Sequence, residues 1–181
     1  MDDLSKSILD IVMNSIRAKS SIIEVIIELS KQTNQLQIKI IDNGIGMDKE
    51  TIKKVLDPFY TTRTVRKVGL GLALFKQMAN QANGDLKISS NLGVGTKVQV
   101  NFELNHINTP PFGDLIDMIY ILLINQDIDE FIFKFINEEK KFYFSKLDLG
   151  MPYDLLVIKN IKNEVMQYLK QSIDDVKEGY K

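Results

Sequence analysis

The sequence predicts an α+β fold in two parts. Two stretches of alternating apolar and polar residues, 22–42 and 86–102, each predict a β-hairpin. Segments with helical periodicity precede and separate them, at 2–19 and 72–83. Consecutive prolines within 109–113 then interrupt regular structure, and the remainder has the pattern α-β-β-α. We therefore expect a first domain at residues 1–105, a linker at 106–113 and a small α+β domain at 114–181.

The composition narrows the classes of function. The 181 residues carry 23 Lys and Arg against 24 Asp and Glu, a net charge of −1, which gives no support to binding of nucleic acid or of an anionic membrane. The absence of cysteine excludes disulfides and thiolate zinc sites, and the single histidine, His106, excludes His-rich metal sites. The acidic N-terminus is unlike a signal peptide, and the most apolar run, 115–124, is too short to span a bilayer. We expect a soluble cytoplasmic protein.

The first helix presents polar groups one turn apart. Asp10 and Asn14 lie four residues apart, opposite the apolar arc of the helix, and are therefore neighbours on its surface. Two interpretations are open. One is a solvated helix face. The other is a carboxylate and an amide that face a site, where the amide oxygen could ligate magnesium and the carboxylate could polarise a water or hydroxyl. The apolar arc consists of Leu4, Ile8, Ile11, Val12, Ser15 and Ile16.

The first hairpin ends in a carboxylate that two glycines follow. The strand 36–42 pairs with the strand 22–29 and ends at Asp42, with Gly44 and Gly46 just beyond. Glycines allow positive φ and a close approach of the backbone to a flat ligand. An acceptor-only carboxylate can take a hydrogen bond from an exocyclic amine such as that of adenine. The alternative is an ordinary turn, because Asp-Asn-Gly is common turn chemistry.

A second glycine pair, Gly69 and Gly71, lies at the start of the helix that reaches residue 83. A polyphosphate can bind at such a place, because free backbone N–H groups and the positive end of the helix dipole favour anions. Residues 59–68, with three cations and three threonines, could close over the phosphates as a lid. The alternative is a loop with ordinary surface charge.

The remaining elements of the first part are a short helix and the second hairpin. Asp48 can cap a helix through about Leu56, which Asp57-Pro58 then stops. The second hairpin turns at 91–95. No P-loop spacing occurs, and no Gly-x-Gly-x-x-Gly follows a strand, so P-loop, eukaryotic-type kinase and Rossmann interpretations lose their basis.

Taken in order, these motifs resemble those of the GHKL superfamily, which comprises gyrase-type and mismatch-repair ATPases, Hsp90-type chaperones, histidine-kinase catalytic domains and anti-sigma serine kinases. The resemblance covers roughly residues 4–104 and implies a two-layer α/β sandwich, a mixed sheet with helices on one face. The matching stretches are Asp10-Ile-Val-Met-Asn14-Ser15 (N box), Asp42-Asn43-Gly44-Ile45-Gly46-Met47 (first glycine box), Asp57-Pro58-Phe59-Tyr60-Thr61-Thr62-Arg63 (F box and start of the lid), Gly69-Leu70-Gly71-Leu72 (second glycine box) and Gly93-Val94-Gly95-Thr96 (third glycine box).

The resemblance implies a site for Mg-ATP. It assigns magnesium to Asn14, the adenine amine to Asp42 with Thr96 beside it, and the catalytic role to Asp10. Arg63 and Arg66 could reach phosphate from the lid. The implied nucleotide-binding residues are Asn14, Arg17, Asp42, Gly44, Gly46, Met47, Phe59, Thr62, Arg63, Gly69, Leu70, Gly71, Leu72 and Thr96.

Two departures from the family pattern bear on function. The F box and short lid resemble the sensor histidine kinases, yet we expect no helical hairpin with a substrate histidine before the first helix. His106 falls in the predicted linker, where we expect a surface or interface role. In the ATPases and anti-sigma kinases a glutamate general base occupies the position of Asp10, whose side chain is one methylene shorter. We expect a stand-alone bacterial protein of the histidine- or serine-kinase type that transfers the γ-phosphoryl group to a separate protein partner in signalling. The alternatives are an ATP-gated switch that binds a partner and a slow ATPase, and the chain could form a homodimer.

The C-terminal part shows no catalytic pattern. It predicts a helix at 114–125, strands at 130–136 and 141–145, and a last helix that follows Pro152 and ends near Val176. Because a two-stranded hairpin is marginally stable alone, we expect this unit to pack on the first domain or to extend its sheet.

Overall fold

The computed structural model describes residues 3–56, 70–150 and 159–177. The strands are β1 (Ile22–Ser30), β2 (Gln35–Asp42), β3 (Asp85–Asn91), β4 (Gly95–Glu103), β5 (Glu130–Asn137) and β6 (Lys140–Ser145). The helices are α1 (Leu4–Arg17), α2 (Lys49–Val55), α3 (Leu70–Gln81), α4 (Leu115–Leu123) and α5 (Lys159–Lys177), with a short 3-10 turn at Leu147–Leu149. Within the described ranges these bounds agree with the sequence prediction to within a few residues. No helix in those ranges is long and apolar enough to cross a bilayer.

The strands form one mixed six-stranded sheet in the order β3-β4-β2-β1-β5-β6. All neighbours are antiparallel except β1 and β5, which run parallel with Ile22 opposite Glu130 and Leu29 opposite Asn137. The C-terminal hairpin therefore extends the sheet of the first part, which was one of the two expected arrangements. Buried side chains from both parts belong to a single hydrophobic cluster. Division of the chain into domains at 105 and 114 stays a prediction.

The strand alternation gives the sheet one covered and one open face. In β1 the residues Ile23, Val25, Ile27 and Leu29 are buried, while those between them are partly exposed. Helices α1, α3, α4 and α5 pack against this covered side and against one another. Ion pairs lie on the other side of the sheet: Lys39 Nζ is 2.7 Å from Glu28 Oε2, and Lys134 Nζ is 2.6 Å from Glu24 Oε1. The α+β class, with a mixed sheet and its helices on one face, is confirmed.

Asp3 caps the N-terminus of α1. Its Oδ1 accepts from the backbone N–H of Lys6 at 3.0 Å and from the hydroxyl of Ser5 at 2.6 Å, and its Oδ2 lies 2.8 Å from Lys6 Nζ. Burial raises the pKa of this carboxyl, but the hydrogen bonds from Lys6 and Ser5 outweigh burial and lower the pKa of Asp3 to about 2. The charged form is therefore the one that stabilises the start of α1.

The linker also contributes to this helix end. The N–H groups of Leu4 and Ser5 donate to the carbonyls of Pro111 and Phe112, each at 2.9 Å. The first N–H groups of a helix have no partner within the helix, so the linker satisfies donors that would otherwise need water or side chains. The start of α1 thus depends on residues more than a hundred positions later in the chain.

Candidate functional site

Helix α1, the loop after β2, helices α2 and α3 and strand β4 surround a cavity of about 240 Å³. Most of its walls are apolar, with a few polar groups that converge on it, which is the usual character of a small-molecule site. The cavity brings together predicted residues from four separate motifs. Its lining residues are Ile11, Asn14, Ser15, Arg17, Ala18, Asp42, Ile45, Gly46, Met47, Val55, Leu72, Thr96 and Val98.

Asp42 is the most firmly held polar group of this cavity. Its Oδ1 accepts from the N–H groups of Gly44 at 2.9 Å and Thr96 at 3.2 Å, and its Oδ2 accepts from the hydroxyl of Ser15 at 2.6 Å. Thr96 reaches it because the pairing of β2 with β4 sets the two residues opposite each other. A carboxylate offers about four lone-pair directions, so described residues use three of them. The remaining direction, on Oδ2, is available to a donor in the cavity.

Ser15 is a site residue that sequence reasoning missed. Its spacing placed it on the apolar arc of α1, and it is indeed 5% exposed. A buried hydroxyl needs a hydrogen-bond partner, and here the partner is the carboxylate of Asp42. The available signal was a polar residue within an apolar stripe, directly after Asn14.

The glycines of the first glycine box are explained by the protein's own backbone. A Cβ on Gly46, where φ is +69°, would lie 1.9 Å from the carbonyl oxygen of Asn91, and one on Gly44 would lie 2.8 Å from that of Ala18. Gly46 lines the cavity and Gly44 does not. Close packing of this loop against its neighbours is thus sufficient reason for both glycines, and their contact with a base stays a prediction.

Gly71 differs, because no backbone of the described residues crowds it. A Cβ there would lie 3.5 Å from the Cβ of Asp10 and 4.0 Å from its Oδ2, which are ordinary contact distances. These distances place Asp10, which is exposed, beside the first turn of α3. Neither residue lines the cavity, so the predicted catalytic carboxylate and the predicted phosphate loop adjoin each other at its edge.

Asn14 and Arg17 interact directly. The Arg17 Nη1 donates to the Oδ1 of Asn14 at 3.0 Å, from a guanidinium that is exposed. The amide oxygen keeps a second lone pair for a ligand. Within the described ranges no cluster of three or more acidic, histidine or cysteine side chains could hold a metal ion. Any magnesium here would therefore take most of its ligands from phosphate and water.

The structure places the other predicted residues as follows. Met47 and Leu72 line the cavity, and Leu70 begins α3 at its edge with a partly exposed side chain. His106 lies between β4 and α4, and its Nδ1 accepts from the N–H of Asn108 at 3.1 Å. The predicted lid and F-box residues Phe59, Thr62, Arg63 and Arg66 lie outside the described residues, as does Gly69 of the second glycine box.

A mostly apolar cavity with a few converging polar groups, between a long helix and the end of a strand, has the character of a small-molecule site. Residues 2–106 match the family described as histidine kinase-, DNA gyrase B-, and HSP90-like ATPase, and the chain belongs to this family. The family resemblance of the motifs is thereby confirmed, and the chain carries an ATP-binding domain of the histidine-kinase-like type.

Several similar proteins have names that refer to signalling. The chain is 34% identical over 103 residues to the signal transduction histidine-protein kinase AtoS of Escherichia coli, covering 56% of this chain and 17% of that one. It is 44% identical over 71 residues to the sensor protein RprX of Bacteroides fragilis, covering 36% and 14%. It is 32% identical over 99 residues to sporulation kinase C of Bacillus subtilis, covering 55% and 23%. The match thus spans less than a quarter of each of these relatives.

A solved structure extends the likeness beyond the family match. The N-terminal domain of a DNA repair protein superposes with a TM-score of 0.55 at 20% identity, over 79% of this chain and 52% of that one. At this identity the likeness shows the fold alone.

Proposed function

We propose that this protein works in the cytoplasm, binds Mg-ATP in the cavity and transfers the γ-phosphoryl group to a separate protein in a signalling system. The observation that carries the proposal is the carboxylate of Asp42, held by three donors with one lone pair of Oδ2 left for a ligand. The amine of adenine is a donor that fits this acceptor. The kinase names of the similar proteins support the reaction class.

Gly71 supports a phosphate position at the start of α3. Glycine costs a helix about 0.5–1 kcal/mol relative to alanine, and nothing in the described protein requires it at this position. Free N–H groups of the first helical turn attract anions, and the absence of a Cβ lets a phosphate approach the backbone. A polyphosphate that runs from the cavity past Leu72 to Gly71 would account for this glycine.

Asn14 fits a magnesium role with one condition. Its Oδ1 already accepts from Arg17, so a metal would use the second lone pair, or Arg17 would turn away to a phosphate. The side chain of Arg17 is exposed, which leaves room for such a turn. Magnesium bound there would supply charge neutralisation for phosphoryl transfer.

The position of His106 argues against this residue as the phosphoacceptor of its own cavity. His106 follows the end of β4, where Glu103 pairs with Gln35, whereas Asp42 pairs with Thr96 at the opposite end. The seven steps along β2 between Gln35 and Asp42 span about 23 Å. A phosphoryl group at the cavity therefore lies far from His106 of the same chain.

Hydrolysis is a second candidate, and the position of Asp10 favours it. The carboxylate stands beside the first turn of α3, where the phosphates are proposed, and could accept the proton of an attacking water. The same position would also suit activation of a partner's hydroxyl, so position does not separate transfer from hydrolysis.

The test follows the γ-phosphate. Wild-type protein, Asp10→Asn and Asn14→Ala are incubated with γ-labelled ATP, alone and with host lysate, and labelled protein and free phosphate are measured. Label on one lysate protein, lost in both variants, is the expected result. Free phosphate without labelled protein would replace transfer by hydrolysis. ATP binding with neither product would refute both and favour an ATP-gated switch.

A further inference from the structure

Ser90 connects the loop after β2 to the third glycine box. Its hydroxyl accepts from the N–H of Met47 at 2.8 Å, donates to the carbonyl of Gly95 at 2.8 Å and lies 2.8 Å from the hydroxyl of Thr96. The pairing of β3 with β4 sets Ser90 opposite Thr96, while the pairing of β2 with β4 sets Thr96 opposite Asp42. The three side chains therefore form a row across the end of the sheet.

The number of available hydrogens fixes the direction of the hydrogen bond between the hydroxyls of Ser90 and Thr96. A serine hydroxyl has one hydrogen and two acceptor lone pairs. A carbonyl only accepts, so the hydrogen of Ser90 goes to Gly95, and the N–H of Met47 uses one of its lone pairs. All three contacts are satisfied only if Thr96 donates its own hydrogen to Ser90. Thr96 lines the cavity, and its hydroxyl then has only lone pairs to offer a ligand.

The polar end of the cavity is consequently an acceptor pair. Asp42 contributes one lone pair of Oδ2, and Thr96 contributes its hydroxyl oxygen. An amino group at C6 of a purine has two hydrogens and can satisfy both acceptors. An oxo group at C6 is itself an acceptor and leaves a buried acceptor facing another, which is costly.

We propose that Ser90 is a positioning residue that sets base specificity, because it holds the Thr96 hydroxyl as an acceptor and so makes the site select 6-amino over 6-oxo purine nucleotides. The inference rests on the proposed function, since it requires a purine nucleotide in this cavity. It concerns the proton on Thr96, and Ser90 itself does not contact the ligand.

The test compares dissociation constants for ATP and inosine triphosphate, measured by titration calorimetry. The wild type should favour ATP. In Ser90→Ala the Thr96 hydrogen is released and can turn to a 6-oxo group, so the preference for ATP should fall about fivefold, the factor typical of one hydrogen bond. Ser90→Thr keeps a hydroxyl at this place and should retain the wild-type preference.

The ratio separates this role from a structural one. If Ser90 only holds the loop through Met47, then Ser90→Ala weakens both nucleotides by the same factor, and the proposal is overturned. Should Ser90→Ala not fold, Thr96→Val serves instead: it removes the second acceptor, so the preference must fall there too, and an unchanged ratio overturns the proposal. A wild type that binds both nucleotides equally refutes the specificity alone. A wild type that binds neither refutes the proposed function.

Discussion

Replacing Asp42 with asparagine tests the centre of the site with the least change of shape. The Oδ1 of the new side chain can keep the N–H groups of Gly44 and Thr96, which now lie at 2.9 and 3.2 Å. An amide nitrogen takes the place of Oδ2, and the hydroxyl of Ser15 can rotate to accept from it. We therefore expect Asp42→Asn to fold like the wild type.

The loss of ATP affinity follows from the contact that disappears. The amide nitrogen turns a donor towards the cavity, so the amine of the base loses a charged acceptor and meets a second donor. A hydrogen bond to a charged group contributes about 1.5–3 kcal/mol, which corresponds to an affinity loss of about 10- to 150-fold. The Ser15 and backbone contacts are retained, so this loss should appear in binding and not in stability.

Titration calorimetry with ATP measures the effect, and thermal unfolding verifies the fold. Asp48→Asn is the matched control, because Asp48 accepts from Thr51 N–H at 2.7 Å as the cap of α2 and lies outside the cavity lining. Asparagine caps helices as well as aspartate does, so the control should bind ATP like the wild type. An Asp42→Asn protein that folds and binds ATP within about twofold of the wild type would refute the role of this carboxylate.

Four further predictions test the fold and the phosphate position. Gly46→Ala should lower the free energy of unfolding by about 2–4 kcal/mol, because its Cβ would meet Asn91. Gly71→Ala should instead stabilise the protein by about 0.5–1 kcal/mol and weaken ATP binding. Denaturant unfolding measures the stability, and titration with ATP measures the affinity. An unchanged affinity would contradict the phosphate position. The pKa of Asp3 is lowered, so its charge stabilises the fold above the ordinary value of 3.8, and this contribution is lost as the pH falls towards about 2. The difference in free energy of unfolding between wild type and Asp3→Asn, measured with urea, should vanish over that range. A difference that stays constant with pH would contradict the role of the Asp3 charge. A chain that lacks 108–181 should show no cooperative melt by circular dichroism, because it loses two strands of the sheet and the linker carbonyls that accept from the first N–H groups of α1. A sharp transition would show that the first part folds alone.

Many of the helices, strands and motifs of this chain could be predicted from local sequence patterns. The period of 3.6 in α1 and the alternation in β1 and β2 depend only on neighbouring residues, so they can be read without knowledge of the fold. The turn residues after Asp42 likewise predicted that the strand ends there, and the preference of glycine for positive φ singled out Gly46. The order of the motifs then indicated the family, because each box supplies one wall of the same site.

Contacts between distant segments could not be read in that way. Nothing local to β5 specifies that it runs parallel to β1, since that pairing joins residues about a hundred positions apart. Ser15 looked apolar by position, and Ser90 looked like an ordinary strand residue. Ser15 bonds Asp42 only because α1 meets the end of β2, and Ser90 bonds Met47 only because the loop after β2 meets β3.

The sequence by itself therefore determined the elements, the motifs and the class of ligand, because periodicity, turn preference and side-chain chemistry are properties of short stretches. Only the tertiary structure decided how the polar groups of the site share their hydrogens. It brings Ser15, Asp42, Ser90 and Thr96 together from separate elements, and the direction of each hydrogen bond depends on which partners are present. The same holds for the distance between the cavity and His106, which is set by the length of the strands that separate them.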